Sequence, residues 1–410
     1  MKTFKSHITE QKNTHMRHIE DSVIYGGVNG TREAINSLRA LRDMLGGHSK
    51  SQHDITVKWD GAPAVFAGID PRDGEFFVAK KGIFNKNPKV YKSHADIDDD
   101  ISSSDLANKL KIAYNELKKI GIKGVIQGDI MFTKGDIKTF KYDNEEYISF
   151  HPNTIVYAVP SKSDLAKKIL KAKIGVVWHT SYSGNSFENM KAAYDVNVNS
   201  LKHVSSVWME DANLKDMSGK ATLTQSETAE VNAYLSDAGK LFNKIAGSTL
   251  RTIEGHAELS QTIETYNNTF VRAGAVITNT TKHVDGLIKY IEGRYGKEIE
   301  KRKTEKGKAV QQAKLDNILS FFSKENKQSL KSLFDLQKAI VSAKLIIINK
   351  LNKLNHIGTF VKTKNGYDVT GAEGFVAIDR LGGKALKLVD RMEFSTNNFS
   401  ADVLKGWENV

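Results

Sequence analysis

Short apolar runs separated by turn residues fill residues 50–184 and predict β-strands. Proline and glycine end one of these runs at Pro71 and Gly74. Residues 104–120 differ, because apolar side chains recur there at helical spacing and predict a single helix. The predicted strands are 55–57, 76–79, 124–127, 154–159 and 175–179.

The pattern changes in residues 185–356, where apolar positions recur every three or four residues, as in amphipathic helices. Proline, which breaks helices, does not occur after Pro160. An earlier helix is predicted to run from Thr31, as its N-cap, to Leu45. The helices expected in the later region are 227–246, 257–271, 282–294 and 328–354.

Strand character returns near the C-terminus and predicts two hairpins. Asn365-Gly366 is a strong two-residue turn signal, and Gly382-Gly383 separates apolar runs at 374–379 and 385–389. The expected fold class is α+β, a mostly antiparallel β unit interrupted by a helical insertion. The expected divisions are a helical extension (1–50), a first core part (51–184), the insertion (185–356), a second core part (357–395) and a tail (396–410).

Composition limits the classes of function. The 410 residues include no cysteine, which excludes disulfides, thiolate catalysis and cysteine-ligated zinc. The formal net charge of +12 favours a polyanionic partner, although a generally lysine-rich surface gives the same number. No apolar run reaches membrane-spanning length and residues 1–7 lack a signal-peptide core, so we expect a cytoplasmic protein without a membrane partner.

The most specific chemistry lies at the end of the first predicted strand, in Lys58-Trp59-Asp60-Gly61. A lysine amine attacks phosphorus when it is neutral and oriented, and glycine lets backbone approach a nucleotide closely. Asp60 can orient the amine or hold a ribose hydroxyl. The pattern predicts a nucleotidyl-lysine site, which also needs phosphate-binding cations, a metal carboxylate, a ribose anchor and a base-stacking surface.

Candidates for these partners follow along the chain, and their order resembles the covalent nucleotidyltransferase superfamily of ATP-dependent DNA and RNA ligases and mRNA capping enzymes. The chain also resembles ligase-like proteins of large tailed phages, in stretches such as Phe150-His151-Pro152-Asn153-Thr154. The candidate segments are Lys80-Lys81-Gly82, Gly128-Asp129-Ile130, Val176-Val177-Trp178, Glu373-Gly374-Phe375-Val376 and Lys384-Ala385-Leu386-Lys387.

The resemblance implies roles for the residues of the first core part. Lys58 would become the nucleotidyl-lysine of motif I, with Asp60 and Gly61 beside it at the nucleotide. Lys80 resembles the cation of the Arg-x-Gly element that follows motif I. Asp129 stands where motif III has a glutamate, and it would serve the ribose.

The resemblance also implies roles for four later residues. Trp178 lies where motif IIIa supplies an aromatic side chain against the base, and Tyr157 is the alternative stacking residue. Glu373 matches motif IV, whose glutamate serves the metal. Lys384 and Lys387 resemble motif V, whose lysines hold the α-phosphate.

The chain departs from the superfamily pattern in three places. Motif V lysines are usually two residues apart, so the hairpin register decides which lysine shares the face of Glu373: a two-residue turn favours Lys384, a three-residue loop Lys387. We expect Lys387. Asp129 is shorter than the usual glutamate. Only about 20 residues follow motif V, so we expect no OB-fold domain.

Other residues keep two interpretations. His18, Glu20 and Asp21 are capping or surface residues, or they contact pyrophosphate, metal or a polynucleotide end. Gly26-Gly27-x-x-Gly30 could cradle a phosphate but lacks the remaining residues of a P-loop. The mixed-charge residues 297–306 are a solvated helix face or a nucleic-acid contact.

The expected function is therefore an ATP-dependent polynucleotide ligase with a lysyl-AMP intermediate and Mg²⁺ or Mn²⁺ as metal. Its nucleic-acid substrate, whether DNA, RNA or hybrid, would be a nicked duplex or free ends, with the helical insertion as a clamp. A monomer is expected. Two alternatives stay open, a non-catalytic nucleic-acid-binding protein on a ligase-like scaffold and a guanylyltransferase.

Overall fold

The structure, a computed structural model, describes residues 16–47, 53–194, 196–212, 223–354, 357–379 and 385–406. These residues form a mixed α and β fold whose sheets are mainly antiparallel. The expected α+β class is confirmed to this extent.

The described residues form fourteen strands in three sheets. The strands are β1 (His53–Lys58), β2 (Ala64–Ile69), β3 (Phe76–Ala79), β4 (Val125–Thr133), β5 (Lys138–Tyr142), β6 (Glu145–Phe150), β7 (Ile155–Pro160), β8 (Ile174–Ser183), β9 (Lys191–Ala193), β10 (Val207–Asp211), β11 (Gly358–Thr363), β12 (Gly366–Val369), β13 (Gly374–Asp379) and β14 (Ala385–Leu388).

Twelve α-helices lie in the same described residues, with short 3-10 turns between some of them. The helices are α1 (Ser22–Tyr25), α2 (Gly27–Leu45), α3 (His94–Asp100), α4 (Ser104–Leu117), α5 (Asp164–Lys171), α6 (Gln225–Phe242), α7 (Gly247–Gly255), α8 (Ala257–Arg272), α9 (Thr280–Glu300), α10 (Glu305–Ser320), α11 (Lys324–Asn352) and α12 (Arg391–Phe399).

The sheets join the two ends of the chain around the helical insertion. The first sheet has the order β1-β13-β14, so β1 pairs with β13, a strand that begins more than 300 residues later in the chain. The second sheet runs β10-β8-β4-β2-β3, with β9 on β8, and the third runs β12-β11-β7-β6-β5. Because β10 pairs in parallel with β8, the sheet continues to residue 211, well beyond residue 184.

Two apolar cores position the first and second sheets. One face of the first sheet joins the core of the helices, where Val57 and Phe375 lie with side chains of α2, α6 and α11. The second sheet buries one face against α4, whose Leu110 and Leu117 share a core with Val65 and Trp178. The opposite face of the first sheet is thereby left for the polar residues of the site.

Most of the long periodic segments fold as predicted, and the ends and short elements differ. The strand predicted at 76–79 matches β3, and the helix at 104–120 is α4 followed by the 3-10 turn Lys118–Ile120. Both C-terminal hairpins form. The prediction missed α7 and α10 in the insertion. The charged residues 297–306 span the end of α9, the turn at 301–304 and the start of α10.

The start of α2 was predicted wrongly, and a glycine explains why. The helix begins at Gly27, and the Thr31 hydroxyl donates to the Gly27 carbonyl oxygen at 2.7 Å instead of capping a helix end. A β-carbon on Gly30 would lie 2.1 Å from the Ser22 carbonyl oxygen. Gly30 therefore allows α1 and α2 to approach closely, and this contact accounts for it without a phosphate cradle.

Candidate functional site

Lys58 and Lys387 lie on one face of the first sheet. Strand pairing sets Lys58 opposite Gly374, Thr56 opposite Val376, and Val376 opposite Lys387. Paired residues project from the same face of a sheet, so both lysines point away from the helical core. We call this surface the lysine face. Burial lowers the pKa of Lys387, and the charge of Lys58 lowers it further.

Glu373 reaches the lysine face from outside the strand. The register that pairs Val376 with Lys387 is opposite to the expected one, so the prediction of a three-residue register is wrong. That prediction treated Glu373 as part of the strand, so that its side chain would follow the alternation of faces. In the structure β13 begins at Gly374, where φ is +152°, and Glu373 precedes the strand. The Glu373 carboxylate forms an ion pair with Lys58, and burial raises its pKa. Lys384 lies outside the described residues.

Asp129 joins this cluster from the second sheet. It lies on β4 opposite Ala64, and 21% of its side-chain surface is exposed. Burial raises the pKa of Asp129 to about 7, while the Lys58 charge opposes this rise and Glu373 adds to it. His179 Nε2 lies 3.7 Å from an Asp129 oxygen. Since burial lowers the pKa of His179 to about 4, this histidine is neutral near pH 7.

Asp60 is a structural anchor for the loop that follows Lys58. Its carboxylate accepts hydrogen bonds from Asn153 Nδ2 at 2.6 Å and from the backbone N–H groups of Thr154 and Ile155 at 2.7 and 2.9 Å. Both oxygens are therefore engaged within the protein, which favours an anchoring role for Asp60 over the expected contact with the amine or a ribose hydroxyl. Asn153 and Thr154, within the Phe150-His151-Pro152-Asn153-Thr154 stretch, therefore have a structural role as hydrogen-bond donors to Asp60.

Gly61 brings the same loop against β4. A β-carbon at Gly61 would lie 2.5 Å from Asp129 Cβ and 2.8 Å from Met131 Sδ. No other residue fits without displacing Asp129. Gly61 therefore supports the site through close packing, which holds Lys58 and Asp129 in one cluster.

Trp178 is part of the core and does not reach the site. Its exposure is 0%, and it packs on the α4 side of the second sheet. A β-bulge explains the error, because Gln127 pairs with Thr180 and Gly128 with Trp178, so His179 is an extra residue. Tyr157 is also buried; its hydroxyl accepts from the Asp60 N–H at 2.6 Å.

Two aromatic residues that the sequence analysis missed lie on the Asp129 side of the second sheet. Tyr182 pairs with Val125, and alternation along β4 places Val125, Gln127 and Asp129 on one face. The Tyr182 hydroxyl donates to Gln127 Oε1 at 2.7 Å, and its ring centre lies 5.0 Å from that of Phe84. Both rings are partly exposed. The sequence signal for Tyr182 is the alternation of side chains along β8. It indicates the correct face only when the extra residue at His179 is taken into account.

Lys81, rather than Lys80, contributes charge at the site. Ala79 pairs with Phe66 on the Gln127 side of the sheet, so Lys80 begins on the opposite side. Lys81 is exposed, and its charge lowers the pKa of Asp129. Lys80 instead acts on Asp100.

The N-terminal segment extends the first sheet beside Lys387. The Lys387 N–H donates to the Arg17 carbonyl oxygen at 2.9 Å, and His18 forms a parallel bridge with Lys387. Burial lowers the pKa of His18 to about 3, so it is neutral. Glu20 and Asp21 are buried and engaged in ion pairs with Lys344 and Arg391, respectively, so they are structural residues.

A model of a family described as "Family of unknown function (DUF6267)" matches residues 13–403. The chain belongs to this family. No curated protein and no solved structure matches the chain. Membership of DUF6267 assigns no reaction, so the chemistry has to be argued from the cluster itself.

The described residues of this DUF6267 chain contain no group of three or more His, Asp or Glu side chains that could hold a metal ion together. None of their helices is both long and apolar enough to span a membrane.

Proposed function

We propose that this chain is an ATP-dependent polynucleotide ligase of the covalent nucleotidyltransferase type, with Lys58 as its nucleophile. One observation carries the proposal: Lys58, Lys387, Glu373 and Asp129 converge from distant parts of the chain on one cluster. Two lysines beside two partly buried carboxylates suit a reaction that transfers a phosphoryl group. The motif order described above supplies the particular reaction class.

In the first step the Lys58 amine attacks the α-phosphorus of ATP. The new P–N bond forms as the bond to pyrophosphate breaks, pyrophosphate leaves with the bonding electrons, and the amine loses its proton. The AMP group then passes to a 5′-phosphate end and frees Lys58. A 3′-hydroxyl attacks that activated phosphate, releases AMP and joins the strands.

The chain's own residues would orient these steps. Lys387, beside Lys58 on the lysine face, would hold an α-phosphate oxygen and stabilise the charge that develops there. In the resting protein Glu373 holds the Lys58 ammonium, so ATP has to displace this contact. Lys81 would contact the outer phosphates from the edge of the second sheet.

The donor set fits Mg²⁺ or Mn²⁺. Mg²⁺ is commonly held by one or two carboxylates together with substrate phosphates and water, and a cage of three protein ligands is not required. Glu373 would hold the ion, with Asp129 close by. When bound, such an ion neutralises charge on the transferring phosphate.

The nucleoside would lie along β4. Asp129 would accept from a ribose hydroxyl, as the motif order implies. Phe84 and Tyr182 offer partly exposed rings for the base, and Gln127, about 7 Å from Asp129 along the strand, offers an amide to its edge. This assignment replaces Trp178, which is buried.

The proposal is tested by incubating the protein with α-labelled ATP, and with GTP in parallel, in Mg²⁺ or Mn²⁺. We expect label from ATP that survives denaturation, and none in Lys58→Ala. Lys81→Ala should reduce the labelling efficiency about tenfold or more, as expected for a charged phosphate contact, and Tyr182→Ala should raise the KM for ATP. Lys80→Ala is the matched control and should label like the wild type.

Label from GTP alone would indicate a guanylyltransferase instead. Absence of label with both nucleotides and both metals, in a protein shown to be folded, would refute the enzymatic proposal and favour a binding protein. Nicked DNA, RNA and hybrid duplexes then identify the substrate by the strand that becomes sealed.

A further inference from the structure

The helices α9 and α10 form a hairpin at the surface of the helical insertion. α9 ends at Glu300 and α10 begins at Glu305, so residues 301–304 form the turn. α10 packs mainly along α9 and buries only Leu315 and Ile318 among its own residues. We call residues 301–314 the hairpin tip.

The positive charge of the helical insertion is concentrated at this hairpin tip. Residues 223–352 carry 20 Lys and Arg and 14 Asp and Glu. The hairpin tip alone holds six of these cations and one of the acids, so the remainder is nearly neutral. The excess charge is therefore a local feature of one turn, unlike an evenly solvated helix surface.

Most cations of the hairpin tip form no ion pair with the described acidic residues. Lys301 pairs with Glu298 and Lys308 with Glu305, both at 2.8 Å. Within the part of the chain that the structure describes, the other four cations form no ion pair, and all four are exposed. They are Arg302, Lys303, Lys306 and Lys314.

We propose that the hairpin tip binds the phosphate backbone of a nucleic-acid duplex. Several unpaired cations on one short turn suit a linear polyanion, whose counterions they release on binding. The hairpin tip contains no aromatic residue to stack on the bases of a single strand. Val310 is its one exposed large apolar side chain among the described residues, too little for insertion into a membrane.

This inference deepens the proposed function by assigning its contact with the polynucleotide, and it is tested by binding alone. The probes are a blunt DNA duplex and the matching RNA duplex, with affinity measured by fluorescence anisotropy between about 50 and 200 mM salt. The tip variant carries Lys303→Gln, Lys306→Gln and Lys314→Gln. We expect its affinity at low salt to fall at least about tenfold and its log–log salt slope to decrease by about 2 to 3.

A matched control removes three exposed lysines elsewhere, with Lys162→Gln, Lys168→Gln and Lys171→Gln. This control should keep the wild-type affinity and slope. Circular dichroism shows whether the tip variant keeps its helices, and its labelling by ATP should be unchanged.

Three results would overturn the inference. The first is a wild-type protein that binds neither duplex, and the second is a folded tip variant that keeps the wild-type affinity and slope. The third is equal loss of affinity in the matched control, which would attribute binding to net charge. Failure of ATP labelling would not change the interpretation of these binding results. The binding proposal and the ligase proposal can therefore fail independently of each other.

Discussion

Asp60 and Asp129 are the clearest case of two carboxylates with opposite tasks. Asp60 accepts three hydrogen bonds and fixes the loop after Lys58. Asp129 lies in the charge cluster, and burial raises its pKa to about 7, so its ionised form is unfavourable in the folded protein. The residue type alone did not distinguish them; the partners of each side chain do.

This contrast predicts opposite effects on stability. Asp60→Ala leaves the buried N–H groups of Thr154 and Ile155 without an acceptor and should cost about 3 kcal/mol of unfolding free energy. Above pH 7 the Asp129 carboxylate is ionised in a buried position, which lowers the free energy of unfolding. Asp129→Asn removes this charge, so at pH 8 the variant should be as stable as the wild type or more stable.

Urea unfolding at pH 8 measures both changes. A wild-type midpoint for Asp60→Ala would show that Asp60 is not the anchor, and a strong loss in Asp129→Asn would show that Asp129 is a structural residue. Asp129→Asn should also label poorly with ATP although it is stable, since a ribose contact is lost.

At the scale of elements, a buried ion pair ties the N-terminal segment to the longest helix. Lys344 of α11 donates to both oxygens of Glu20, at 2.8 and 2.9 Å, and its side chain is 1% exposed. Arg391, at the start of α12, forms an ion pair with Asp21, the residue that follows Glu20. Because His18 bridges to Lys387, these pairs fix the segment that borders the lysine face.

Lys344→Met should therefore be strongly destabilising, by about 3 to 5 kcal/mol, because it leaves the buried Glu20 carboxylate with only the more distant Arg391 guanidinium, at 3.6 Å, as a cationic partner. The double variant Glu20→Leu with Lys344→Met should regain most of that loss. Thermal and urea unfolding give both values.

Lys240→Met is the control, since Lys240 forms an exposed pair with Asp237 and should change stability by less than about 1 kcal/mol. If the double variant were no more stable than Lys344→Met, the loss would come from packing and the ion-pair explanation would fail.

Most of the long periodic elements were predicted correctly from the sequence. The face on which Trp178 lies was predicted wrongly, because its strand β8 contains a bulge. Alternation along β8 without interruption puts Trp178 and Tyr182 on the same face. The extra residue at His179 places them on opposite faces. A bulge depends on the partner strand, where a β-carbon at Gly128 would lie 2.3 Å from the Val177 carbonyl oxygen.

At the scale of the whole molecule, buried neutral histidines contribute to the response to acid. Burial lowers the pKa of His283 to about 4 and that of His151 to about 4 as well. Between pH 6.5 and 4 the unfolded chain binds protons at these rings that the folded chain does not. Each therefore makes the protein less stable as the pH falls through that window.

His283 offers a clean test because it lies in the helical core, bonded to Asn267 at 2.8 Å and packed on Phe334. Between pH 7 and pH 5 its contribution to the loss of stability should be about 1 to 2 kcal/mol. His283→Gln should show a correspondingly smaller loss in urea unfolding at the two pH values. His203→Gln, at an exposed position, should lose as much as the wild type.

If His283→Gln and the wild type lost equal stability between the two pH values, this histidine would not be the neutral buried group described here. Asp129 acts in the opposite direction, since its raised pKa favours the folded chain as the pH falls below 7. The wild type and His283→Gln both contain Asp129, so its contribution cancels when their losses of stability are compared.

The sequence by itself determined the periodic elements, the split of the β unit around a helical insertion, and Lys58, Glu373 and Lys387 as candidates. These follow from local patterns: apolar spacing, turn residues and short motifs. Only the tertiary structure decided which candidates meet. It bonded Asp60 to the Asn153 side chain and to the backbone of Thr154 and Ile155, buried Trp178, and favoured Lys81 over Lys80. It also placed the charge of residues 301–314 at a hairpin turn. Those outcomes depend on strand register, a bulge and contacts between distant segments, which local sequence does not encode.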